Sequence, residues 1–283
     1  MTKNYSIFHK ALFTAFTVLM GTAVYGQTLV SGQLNSGRIP TPTMLFLNVA
    51  PDARSAAMGD AGVAISTDAN SIYWNPAKLG NSQKDGGFSF TYTPWLRNLV
   101  PDMSLSNLSF YKKNKKHPEY TLGASLNYFN QGLFQATLSN GTSAGNFNSI
   151  EYSLTGGGSR NLGNGKFLGV TVKYINSNLL GNYQGTSGSG VAMKPAQTVA
   201  ADISYFQTKS YPNLTTINWG ATISNISGKV SYGGNEKNFI PTNARLGAAI
   251  IKEIDKHKFT IALDFNKLLV PTPQSIDANG NIV

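Results

Sequence analysis

From Gly86 toward the C-terminus the chain repeats one pattern, in which apolar residues alternate with small polar ones, segment after segment. Phe88, Phe90 and Tyr92 alternate with Ser89, Thr91 and Thr93. Tyr120, Leu122, Ala124, Leu126 and Tyr128 alternate with Thr121, Gly123, Ser125 and Asn127. The same rule holds over 168–174, 217–224 and 259–266. Successive strand side chains point to opposite faces, so each segment predicts a strand with one greasy and one polar face. A single case would be a half-buried strand of a sandwich. Repeated along the chain, with aromatics near the segment ends, the pattern predicts lipid-facing walls with interfacial girdles.

The connections sharpen that reading. Short, charged or turn-rich links at 113–118, 162–165, 210–213 and 255–257 alternate with longer ones at 94–101, 130–149, 179–196 and 228–241. A meander through a membrane has tight turns on the periplasmic side and long loops outside. A Greek-key sandwich has no reason to sort its loops in this way. The expected fold is all-β: a transmembrane antiparallel β-barrel with about nine strands in view. Residues 275–283 are loop chemistry rather than a closing aromatic strand, which leads us to expect further strands beyond them.

The N-terminus carries an export pattern. Lys3, His9 and Lys10 precede an apolar run from Ala11 to Met20, and small residues follow up to Gly26. That run is too short for a membrane-spanning helix and predicts a signal peptide over 1–26. A segment over 27–85 then precedes the barrel over 86–283. The chain has no cysteine, which excludes disulfides and thiolate metal sites. Only 13% of residues are charged, yet mean hydropathy is −0.15, because Ser, Thr, Asn, Gln and Gly fill the polar positions. The net charge of +10 falls to +8 once Lys3 and Lys10 leave. The basic residues cluster at turns with no aromatic reading face beside them, so lipid phosphates or acidic partners are expected, and no nucleic acid.

Little in the chain suggests an enzyme. His117 and His257 lie in predicted turns without an evident Ser and carboxylate partner, so no catalytic residue is assigned and no cofactor or metal is expected. Gly156-Gly157-Gly158 falls inside a strand and suits a bend or close packing rather than a phosphate cradle. Asp277-Ala278-Asn279-Gly280 has only part of a calcium loop. Glu151, Lys173, Asp202, Arg245 and Asp264 fall at lumen-facing positions, where pairing is the expected role.

The most distinctive string precedes the strands: Ala50-Pro51-Asp52-Ala53-Arg54-Ser55-Ala56-Ala57-Met58-Gly59-Asp60-Ala61-Gly62, closing on Tyr73-Trp74-Asn75-Pro76-Ala77-Lys78. It resembles the N-terminal segment of the FadL-like outer-membrane barrels, and in particular the PorV family of type IX secretion. Asp52, Arg54, Gly59, Asp60, Trp74, Asn75 and Pro76 stand where that family's motif has its polar and turn residues. Ala56-Ala57-Met58 departs from it, where the family usually shows two glycines.

The resemblance implies a FadL-like barrel of about fourteen strands in the Gram-negative outer membrane, with this segment as a lumen plug. It also implies partners: the C-terminal signal domains of secreted cargo, a translocon channel, a sortase-like attachment subunit and outer-membrane lipid. Leu133, Phe134, Leu179 and Leu180, in the predicted long loops, are the apolar candidates for cargo contact. The alternative is a FadL-type channel for long-chain lipids, which would need apolar rather than polar lumen positions.

Overall fold

The computed structural model describes residues 41–98, 102–137, 141–181, 193–212, 214–233 and 237–271. The signal-peptide region, the partial calcium-loop string and residues 275–283 therefore lie outside the described residues. Nine strands follow one another: β1 (Gly86–Pro94), β2 (Ser104–Lys113), β3 (Tyr120–Thr137), β4 (Ser143–Gly163), β5 (Lys166–Asn178), β6 (Ala196–Tyr211), β7 (Thr215–Ile226), β8 (Asn243–Ile254) and β9 (His257–Leu268). They form one curled antiparallel sheet in sequence order, and β1 and β9 each have a single neighbour among the described residues. The count and the phase agree with the alternation in the sequence.

The two faces differ in chemistry. The convex face carries Phe88, Phe90, Leu122, Val170, Ile203, Trp219, Leu246 and Phe265, and Ile261 is 72% exposed. The concave face carries Asn107, Ser125, Asn127, Thr171, Asn218 and Arg245, and Thr222 is only 3% exposed. Apolar residues outside and polar residues inside make a membrane wall, the inverse of a soluble domain.

The segment before β1 fills the concavity. It comprises a 3-10 turn at Leu45–Asn48, helix α1 (Ala53–Ala57), helix α2 (Ser71–Trp74) and a second 3-10 turn at Pro76–Asn81. Each of the three apolar clusters contains residues of this segment. Met44, Phe46 and Leu47 pack with Ile175, Ala196, Ala200, Val230 and Ile240. Ala69, Ile72 and Leu79 meet Tyr111, and Ala77 meets Phe167 and Phe206. The core therefore lies between plug and wall.

The link lengths do not alternate as strictly as expected. The predicted long loop over 130–149 is mostly strand, since β3 runs for 18 residues and β4 for 21. A membrane crossing needs about 9–11 residues, so roughly half of this hairpin stands beyond the wall. The register shifts between Asn130 and Leu133, where two residues of β3 face one of β4. Gly132, at φ +87°, supplies the left-handed backbone of this bulge.

Candidate functional site

The plug is built on Asp52. Its extended backbone opens α1, and its carboxylate accepts the Ser55 amide at 2.9 Å, a helix N-cap. The other carboxylate oxygen accepts the Trp74 indole N–H at 2.6 Å. Gly59, at φ +69°, ends this turn. Gly62 has a different role: a Cβ there would strike the Trp74 ring. Arg54 pairs with Asp68 at 2.8 Å and also reaches Ser66, so its partner is neither Asp52 nor Asp60. Asp60 is exposed, at φ +63°.

Tyr73-Trp74-Asn75-Pro76-Ala77 forms a corner between two helical turns. Asn75 is extended and caps the second turn by accepting the Ala77 amide at 3.1 Å, while Pro76 sits at the start of that turn. The Asn75 amide nitrogen donates to the carbonyl of Val63 in the plug and to that of Tyr205 on β6. One side chain thus closes the plug and fastens it to the wall.

The wall supplies matching groups. Asp264 on β9 accepts the backbone amides of Gly62 and Val63, both at 2.8 Å. Asn218 and Thr222 on β7 donate to the carbonyls of Ala64 and Trp74. Ser204 on β6 accepts the Ala77 amide at 2.9 Å. The Arg245 guanidinium on β8 lies over the Tyr73 and Trp74 rings, 5.7 and 4.9 Å from their centroids. Between these anchors runs a track of inward glycines. A side chain on Gly169 would land on the Pro76–Ala77 backbone, on Gly220 against Asn75, and on Gly247 against Val63.

Of the predicted lumen charges, Lys173 and Asp202 pair with each other at 2.9 Å, and Thr171 and Asn225 complete the Asp202 shell. Glu151 accepts hydrogen bonds from Gln131 and Ser177. Arg245 and Asp264 hold the plug instead of pairing across the barrel. Lys78 is a fully buried lysine, and its ammonium donates to the Gly62 carbonyl at 2.6 Å. Burial pushes its pKa down to about 8, although Asp68 partly opposes the shift. Burial also raises the Tyr73 phenol, and nearby Arg245 acts against it. The roles of Asn218 and the glycine track are not evident in the sequence, because only the docked plug gives these wall positions partners, and Lys78 is buried only once the plug has folded into the wall.

The contact candidates are redistributed. Leu133 and Phe134 are strand residues of the β3–β4 hairpin rather than loop residues. Leu133 is 57% exposed, and Phe134 stacks on Phe147 at 5.6 Å. Leu179 and Leu180 do begin a loop, but they are half-buried and line a small hollow with Met193, Pro195 and Tyr232. They pack the loop. His117 sits 3.5 Å from Glu119 on an exposed turn, a carboxylate neighbour not evident in the sequence. His257 opens β9 rather than lying in a turn.

The family model described as "Type IX secretion system protein PorV" matches residues 32–275. The chain belongs to the PorV family. Among solved structures it is similar to the Pseudomonas putida toluene transporter TodX, at 10% identity and a TM-score of 0.42, over 77% of this chain and 84% of that one. The curated proteins give no match.

Proposed function

We propose that this chain is an outer-membrane carrier of type IX secretion. It receives exported proteins from the translocon channel by their C-terminal signal domains and passes them to the sortase-like attachment subunit on the surface. Membership in the PorV family supports the setting. One structural observation carries the mechanism: the concavity is occupied by the plug, while the β3–β4 hairpin extends past the wall. Work at the rim fits this geometry better than passage through the lumen. The paired edges of that hairpin end at Asn130 and Ile150, and beyond them, among the described residues, its strands pair only with each other, with the Leu133 amide held by Asp102. Its outer backbone edges suit strand addition by a partner, with Leu133 and Phe134 as apolar anchors.

The chain has no native cysteine, so single cysteines at Leu133 and at lipid-facing Ile261 can be crosslinked without background. In native outer membranes the Leu133 position should capture cargo signal domains and the Ile261 position should not. Capture at neither position, together with lost uptake of long-chain fatty acid on plug mutation, would favour the lipid-channel reading.

A further inference from the structure

The β7–β8 loop folds back toward the plug. Val230 pairs with Asn238, Ile240 and Val230 are buried against Met44, Phe46 and Leu47, and the Thr43 amide donates to the Phe239 carbonyl at 2.9 Å. The described residues of this strap and the start of the plug pack together near Phe129 and Ile175, at the end of the wall from which the β3–β4 hairpin rises. The two features are joined by side chains. The Thr43 hydroxyl donates to the Tyr232 hydroxyl at 3.1 Å, and Tyr232 and Ser177 are 2.7 Å apart. Ser177 donates to one Glu151 oxygen at 2.6 Å, and Gln131 donates to the other at 2.6 Å.

Direction follows from the acceptor. The Ser177 proton is committed to Glu151, so Tyr232 must donate to Ser177 and Thr43 to Tyr232. From Thr43 to Ser177 the donors point one way and end on the Glu151 carboxylate, which Gln131 meets from the other side, an arrangement in which each bond polarises the next. Gln131 lies in the bulge at the base of the hairpin, next to Gly132. On the other side of the bulge, the Asp102 carboxylate holds the Leu133 amide at 2.7 Å. The base of the hairpin is thus held between Asp102 and Glu151, and the Glu151 side leads through Ser177 and Tyr232 to the start of the plug.

We infer that the Gln131–Glu151–Ser177–Tyr232–Thr43 chain couples the set of the β3–β4 hairpin to the seating of the strap and the first plug turn. A load that swings the hairpin draws Gln131 from Glu151, frees a carboxylate to recruit water, and loosens Tyr232 from Thr43. The coupling is reciprocal, as thermodynamic linkage requires, and does not depend on which partner meets the hairpin.

Amide hydrogen exchange on the full chain in detergent micelles tests the inference from both ends. Gln131→Ala should speed exchange at residues 43–48 by about fivefold or more, the effect of losing one net hydrogen bond. Gln135→Ala, in the same hairpin but off the chain, should leave 43–48 unchanged. Tyr232→Phe removes one hydroxyl while keeping the ring, and should speed exchange at residues 131–135 by a similar factor. If either effect stays local, with Gln131→Ala felt only in the hairpin or Tyr232→Phe only in the strap, the coupling is overturned. The Tyr232→Phe arm decides alone should Gln131→Ala raise exchange throughout β6–β8.

Discussion

The Trp74 indole donates to the Asp52 carboxylate across 2.6 Å, joining two parts of the N-terminal motif that lie 22 residues apart. The same carboxylate caps α1 through Ser55. Asp52 is 3% exposed, so it has little access to water to replace either bond.

Trp74→Phe should therefore destabilise the plug by about 1.5–3 kcal/mol, because it leaves a buried carboxylate oxygen without its donor. Asp52→Asn should cost a comparable amount while keeping a cap. The heat-modifiable gel transition of the purified protein reads both changes. An unaltered midpoint in Trp74→Phe would show that the indole bond contributes nothing.

The glycine track makes a paired prediction. Gly169→Ala puts a methyl group into the Pro76–Ala77 backbone and should cost about 1–3 kcal/mol of plug seating. Gly156→Ala, on an exposed position with open space around it, should be close to neutral. Limited proteolysis of the plug separates the two: Gly169→Ala should be cut faster and Gly156→Ala should match the parent. Equal cutting would mean that the plug does not press on that wall position.

Lys78 gives a pH signature. Its folded pKa of about 8 lies below the ordinary 10.5 of an unfolded chain. Between those values the unfolded chain holds the extra proton, so this group makes stability rise as pH increases from about 8 toward 10.5. Below 8 both states are protonated and the full burial cost is present. Lys78→Met should remove this component, so that the parent gains stability relative to the variant between pH 7 and pH 10. A parent-to-variant difference that stays constant over that range would exclude a desolvated lysine.

The wall was legible in the sequence because strand periodicity is local. Leu126 and Ser125 show how far that reaches. Alternation places Leu126 outside and Ser125 inside, and the structure agrees. An arginine at Leu126 should cost about 2–4 kcal/mol if it lies near the membrane midplane. A polar inward residue alone, however, suggests water, and an arginine at Ser125 would look harmless. Ser125 is instead 4% exposed in a lumen filled by the plug, so Ser125→Arg should impair assembly too.

What the sequence left hidden depends on contacts across the fold. Asp264, 202 positions from Gly62, binds the plug amides, and Asn218 finds Ala64 from 154 positions away. No local pattern announces such pairs. The hairpin is hidden in the sequence because Gly132 and the Gly- and Asn-rich residues after it look like loop chemistry. In the structure Gly132 makes a bulge, and the strands continue beyond it.

The most direct test of the carrier mechanism replaces residues 133–148 with a two-residue Asn-Gly turn, ending β3 and β4 near the wall. Surface display of cargo bearing the C-terminal signal domain is then measured on intact cells. The variant should give a folded, heat-modifiable barrel at normal abundance, with cargo retained behind the outer membrane or left unattached. Normal surface attachment of cargo by that variant would contradict the account, because the rim hairpin would then have no part in the transfer.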